Sequence, residues 1–120
     1  MLGFVWVFSQ GTVLTEMAEK NPNLVVVSQD MGPMSPFSET FPDRFFDVGI
    51  SEANLVGVAA GLAHAGKLPF VVAMAPFVTM RSFEQIRDDC SYNRNNVKIL
   101  APCSGLEGGH WGATHHAVED

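Results

Sequence analysis

A mostly parallel α/β sheet with helices on both faces is what this sequence predicts, and three observations predict it. Helix-like and strand-like stretches alternate along the chain. Leu24-Val-Val-Val27 is a continuous apolar run, the mark of a strand buried on both faces. Glu52 to Ala65 reads as a full helix between two strand-like runs, and strand, helix and strand in turn are the pattern of a parallel sheet.

The elements follow in order. Val13, Leu14 and Met17 sit at helical spacing within Thr12 to Lys20, and Asn21-Pro22-Asn23 stops that helix. The strand from Leu24 comes next. Met31 to Pro42 carries Gly32, Pro33, Pro36 and Pro42, so it is a loop with room for one helical turn. Phe45 to Val48 is a second short strand, ending at Gly49. The helix from Glu52 has Ser51 as its N-cap and Gly66-Lys67 as its stop before Pro69. It contains Gly57 and Gly61, each costing about 1 kcal/mol against alanine, which asks for close packing on the sheet or on another subunit. Phe70 to Met74 is a third strand, Thr79 to Cys90 a helix, and Val97 to Ala101 a fourth strand. Pro102 to Gly112 is glycine-rich, and a further helix could begin near Asp120. Four parallel strands make a thin sheet with an unfinished edge.

Bulk properties narrow the function classes. At 120 residues the chain is one domain at most. An apolar fraction of 47% against 17% charged residues is globular and not disordered. A net charge of −6 speaks against nucleic acid or anionic lipid as partner, since both need a basic face. Cys90 and Cys103 have neither Cys-x-x-Cys nor zinc-finger spacing, and read as reduced core thiols of a cytoplasmic protein. The apolar start, Met1 to Phe8, lacks the basic region and cleavage site of a signal peptide. It is also far short of the roughly 20 residues that span a bilayer. It is expected to open a buried helix or to cap an interface.

In a parallel α/β sheet, ligands sit beyond the carboxyl ends of the strands. That rule selects Asp30 to Ser35, Gly49 to Glu52, Ala75 to Met80 and Ser104 to His115. Glu52 stands out: it follows a strand and a glycine, opens a helix, and has apolar Ile50, Leu55 and Val56 around it. A carboxylate at a helix N-terminus gains about 0.3–1 kcal/mol from the helix dipole, so a plain structural acid is the competing explanation. Asp88 and Asp89 read as a solvated face.

Beyond this point the residues resemble a known family. Phe41-Pro-Asp-Arg-Phe-Phe-Asp-Val-Gly-Ile-Ser-Glu-Ala-Asn-Leu-Val-Gly-Val-Ala-Ala-Gly-Leu-Ala63 is similar to the pyrimidine-domain signature of transketolases and 1-deoxyxylulose-5-phosphate synthases. The likeness begins at Ala18-Glu-Lys-Asn-Pro-Asn23 and continues through Pro69-Phe70, Ala75-Pro-Phe-Val78, Phe83-Glu-Gln-Ile-Arg87 and Gly112-Ala-Thr-His115. It implies a three-layer sandwich of the thiamine diphosphate-binding type, with residues 1–120 forming a pyrimidine-binding domain that lacks its C-terminal portion. It further implies a transferase component that moves two-carbon ketol units between sugars.

The resemblance also assigns roles. Glu52 matches the glutamate that hydrogen-bonds N1′ of the aminopyrimidine and so activates thiamine diphosphate; in an apolar pocket its pKa is expected to be raised. Phe77 matches the aromatic residue that packs on the pyrimidine, with Met74 and Met80 at flanking wall positions where sulfur contacts can line a ring. His115 matches a histidine that hydrogen-bonds the sugar phosphate substrate, and Asp30 matches an acidic position facing the cofactor. His116 stands where glutamine is usual. Gly109-His110-Trp111-Gly112 stands where many members carry Gly-Glu-Asp-Gly, and Trp111 can donate only through its indole N–H. Either Trp111 alters the donor sugar, or the loop is re-threaded with Glu107 supplying the acid.

No Gly-Asp-Gly motif is present, so the Mg²⁺ ligands are expected on a diphosphate-binding partner domain or subunit and not in this chain. The resemblance thus implies a homodimer or hetero-oligomer, inactive as this chain alone, with no nucleic acid or membrane partner. Other readings stay open: a non-catalytic dimerisation or docking module, a 1-deoxyxylulose-5-phosphate synthase-like subunit, or a pyruvate dehydrogenase beta-like subunit.

Overall fold

The computed structural model describes residues 2–119, with side chains from Ser9 onward. What Met1 to Phe8 were expected to bury or cap lies outside the described side chains. Helix α1 runs Leu2–Lys20, starting well before Thr12. The Asn21 carboxamide accepts from the Asn23 N–H at 3.0 Å, a local turn that ends the helix and releases the chain into strand β1, Leu24–Ser28. A short helix α2, Phe37–Thr40, is the one turn foreseen in the proline-rich loop. Then come β2 (Phe45–Asp47), α3 (Glu52–His64), β3 (Leu68–Val72), α4 (Ala75–Arg81), α5 (Phe83–Gln85), a π-helical stretch Ile86–Tyr92 and β4 (Lys98–Leu100).

The four strands are all parallel, in the order β2-β1-β3-β4. Alternate residues of the central strands face opposite ways, and both faces are covered. On one face, Leu14 and Ala18 of α1, with Met34 and Phe37, pack on Leu24, Val26, Phe70 and Val72. On the other, Leu55, Val56, Ala59 and Ala60 of α3, with Val78 and Cys90, pack on Val27 and Val71. This is the three-layer α/β architecture predicted, and β1 is buried along its whole length because both faces are occupied. Each fully buried Leu, Val or Phe contributes about 1.5–3 kcal/mol, so the two clusters hold the layers together. Both cysteines are free and buried.

Three details depart from expectation. Strand β3 lies two residues earlier than Phe70 to Met74. Pro69 is tolerated within it because only β1 flanks the strand there: pairing with β4 begins at Phe70. The helix expected over Thr79 to Cys90 is broken into α4, α5 and the π-helical stretch. Hydroxyls compete with the helical ladder: Ser82 donates to the Val78 carbonyl at 2.6 Å and Ser91 to the Ile86 carbonyl at 2.9 Å. Ser51 occupies the N-cap of α3 but makes no side-chain cap; its hydroxyl donates to the Val48 carbonyl at 3.1 Å instead.

The glycines of α3 are not explained by the sheet. A Cβ on Gly57 or Gly61 would meet nothing within 4 Å, so close packing on the strands is not what requires them. Gly11 is different. A Cβ there would strike the backbone carbonyl of Ser35, so only glycine lets α1 approach that loop.

Candidate active site

Because the strands are parallel, their carboxyl ends collect at one end of the sheet, and the loops after β1, β2 and β3 meet there. Asp47 ties the first two together. Its carboxylate accepts from the Asp30 N–H at 3.1 and 3.2 Å and from the Gly49 N–H at 2.8 Å. Gly49 has φ +69, a left-handed turn that costs glycine little and redirects the chain into α3. Glu52 is the first residue of that helix and is only 5% exposed.

Two donors converge on one oxygen of Glu52. Gln29, buried at the end of β1, donates from Nε2 to Glu52 Oε1 at 3.0 Å. Arg81, in the last turn of α4, donates from Nη1 to the same oxygen at 2.8 Å. The Arg81 guanidinium also lies 4.0 Å from the Phe77 ring centroid. Phe77 in turn meets His115 edge-on with centroids 5.0 Å apart. The Thr114 hydroxyl sits 2.9 Å from His115 Nδ1. Trp111 lies 5.4 Å from the His115 ring and 3.9 Å from that of His110.

The electrostatics of Glu52 overturn the expectation of a raised pKa. Burial does push it up, and this is the largest single influence. The helix-start backbone N–H, the Gln29 amide and the Arg81 charge together outweigh it, so the carboxyl lies below its ordinary value. The apolar neighbours seen in sequence are real, but hydrogen-bond donors from distant elements reach the carboxylate. The Cys90 and Cys103 thiols are pushed up by burial.

Of the residues singled out in sequence, Glu52, Phe77 and His115 are brought into one cluster, with Arg81 as the link. Met74 is half-buried at the N-cap of α4, and its carbonyl accepts from the Phe77 and Val78 N–H groups. Met80 is 49% exposed on the same helix. Asp30 is exposed at the rim and faces Asp47; the residue of that loop that reaches Glu52 is its neighbour Gln29. The Glu107 carboxylate is held inside its own loop by the Cys103 N–H at 3.0 Å. Sequence reading missed Gln29 and Arg81. A faint signal existed for each: a polar residue closing an apolar strand, and a cation four positions after Phe77, where a helix stacks side chains. Among the described residues no three His, Cys, Asp or Glu could together hold a metal ion. No helix among the described residues is long and apolar enough to cross a membrane.

Chemically, the Glu52–Phe77 corner sets a carboxylate acceptor beside an aromatic face. The ring of Phe77 supplies a face and the carboxylate supplies an acceptor at the edge. The planar guanidinium of Arg81 fills it in this way.

Residues 4–120 match the family described as transketolase, pyrimidine binding domain. The chain is 41% identical over 110 residues to an apulose-4-phosphate transketolase subunit of Phocaeicola vulgatus, covering 89% of this chain and 35% of that protein. It is 40% identical over 113 residues to a putative transketolase C-terminal section of Methanocaldococcus jannaschii, covering 92% and 36% respectively. Among solved structures, a split-gene transketolase described as an inactive beta4 tetramer superposes with TM-score 0.78 at 44% identity, covering 91% of this chain and 36% of that one. The chain thus spans about a third of the length of these relatives.

Proposed function

Because this chain belongs to the transketolase pyrimidine-binding domain family, we propose that it supplies the pyrimidine side of a thiamine diphosphate site in an enzyme moving two-carbon ketol units between sugars. The observation that carries this reading is the Glu52–Phe77 corner. A guanidinium already lies against the Phe77 face and donates to Glu52 Oε1 at 2.8 Å, as a protonated ring nitrogen would. The residues present therefore fit the group.

When bound, thiamine diphosphate supplies carbanion stabilisation that no side chain provides. Glu52 would accept the N–H at the ring's edge and hold the shared proton there. Phe77 would carry the ring face, with Met74 and Met80 on the same helix as its flanks and Asp30 at the rim. His115, edge-on to Phe77, would offer a ring nitrogen to a hydroxyl of the sugar phosphate. The Mg²⁺ and diphosphate would be held by a partner domain or subunit. The solved relative described as an inactive beta4 tetramer supports an assembly that needs such a partner for turnover.

The test is Glu52→Gln in the enzyme assembled with its diphosphate-binding partner. Thiamine-dependent turnover is expected to be lost while the variant still folds and assembles, its unfolding midpoint lowered only by the stabilisation that the ionised carboxylate confers. Near wild-type turnover in the Gln variant would remove Glu52, and this reading with it.

A further inference from the structure

Gln29 is a buried amide that only half satisfies itself. Its Nε2 donates to Glu52 Oε1, while its Oε1 is buried with no hydrogen-bond partner. An unpaired buried carbonyl costs free energy that a methionine or leucine of similar volume would avoid. Strand β1 is otherwise apolar along its length up to Ser28, so the position has a simple apolar solution that the sequence does not take. What Gln29 gains for that cost is its grip on Glu52. The amide must present nitrogen to the carboxylate, since the reverse orientation would set two oxygens against each other.

The two donors on Glu52 differ in permanence. Arg81 is half exposed at the end of α4, and it occupies the corner a ligand ring would take. Gln29 is 5% exposed and directly follows the central strand, whereas Arg81 lies against the Phe77 ring. When a ring replaces the guanidinium, Gln29 is the partner that remains. Among the described residues, Arg81 is the charged neighbour acting on Glu52, so Gln29 is also the remaining influence that favours the ionised carboxylate besides the helix backbone.

We infer that Gln29 is a positioning residue: it fixes Glu52 Oε1 in place and keeps the carboxylate oriented toward the ring of the bound cofactor. This rests on the reading of Glu52 given above, but it is tested separately.

The experiment uses the full chain labelled with ¹³C-glutamate, followed by NMR as the Glu52 side-chain carboxyl titrates. Gln29→Met keeps the shape and removes the donor; Gln29→Glu keeps the shape and places a second carboxyl beside the first. Glu52 is expected to titrate at higher pH in the Met variant, and higher still, with a broadened curve, in the Glu variant. In the enzyme assembled with its partner, Gln29→Met should lower kcat about ten- to a hundredfold at saturating thiamine diphosphate, as expected for losing a hydrogen bond to a charged group. An unchanged Glu52 titration in either folded variant overturns the inference, and so does an unchanged kcat in Gln29→Met. If Gln29→Met does not fold, Gln29→Glu carries the titration arm alone. The titration involves no cofactor, so it stands or falls independently of whether Glu52→Gln abolishes turnover.

Discussion

Removing the Arg81 side chain should make the cofactor bind more tightly. The guanidinium occupies the Glu52–Phe77 corner, which on the proposed function an aminopyrimidine would take, so it would have to leave first. Two interactions hold it there. The ion pair spans 2.8 Å, but the Arg81 side chain is 51% exposed, so solvent screening keeps the pair near the upper end of surface values, about 1 kcal/mol. The stack on Phe77, at 4.0 Å from the centroid, adds about 0.5–1 kcal/mol. Their sum, roughly 1.5–2 kcal/mol, corresponds to about ten- to thirtyfold in a dissociation constant. Arg81→Ala should therefore lower the Kd for thiamine diphosphate by about that factor, read by calorimetry on the assembled enzyme with Mg²⁺. The isolated chain should meanwhile lose stability of similar size in urea. If the variant loses that stability but binds the cofactor equally or more weakly, the guanidinium is not a stand-in for the ring, and the fit argued for this corner fails.

Three further outcomes concern Glu52 and the loop that carries Trp111 and Glu107. Glu52 has a folded-state pKa below its ordinary value, so the unfolded chain takes up its proton more readily. The stabilisation it confers is present above the unfolded glutamate value of about 4.3 and is lost as pH falls through the folded value. Urea unfolding at several pH values should show wild type losing stability on acidification more steeply than Glu52→Gln, and parallel curves would contradict this. Trp111→Asp should raise kcat/KM about ten- to a hundredfold for an ordinary ketose phosphate donor, because it restores a charged acceptor beside His115. Glu107→Gln, which touches a carboxylate engaged by the Cys103 N–H, should destabilise the loop and leave donor preference alone; a shift in preference from that change would mean the loop is re-threaded.

The layered parallel fold was legible because it rests on local patterns. A run such as Leu24 to Val27 has nowhere to go but between two apolar layers, and α3 begins at Glu52 as expected and ends within a residue of its expected stop. Glu52 was singled out because a strand, a glycine and a helix start are contiguous in sequence. Phe77 and His115 were singled out through resemblance, and the structure brings their rings together. The broken helix after Ser82 was not legible, since apolar spacing does not report hydroxyls that bond back to their own helix.

What the sequence determined, then, was which residues are apolar, where the chain turns, and that a carboxylate stands at the mouth of the sheet. Only the tertiary structure decided what that carboxylate touches. Gln29 lies 23 residues before Glu52 and Arg81 lies 29 after it, and neither distance leaves a periodic trace. The parallel order β2-β1-β3-β4 brings the ends of β1 and β3 side by side, so two donors meet on one oxygen. Burial alone would have raised the acid's pKa; the donors that the fold delivers lower it, because hydrogen bonds and a nearby cation favour the charged form more than the surrounding apolar atoms disfavour it.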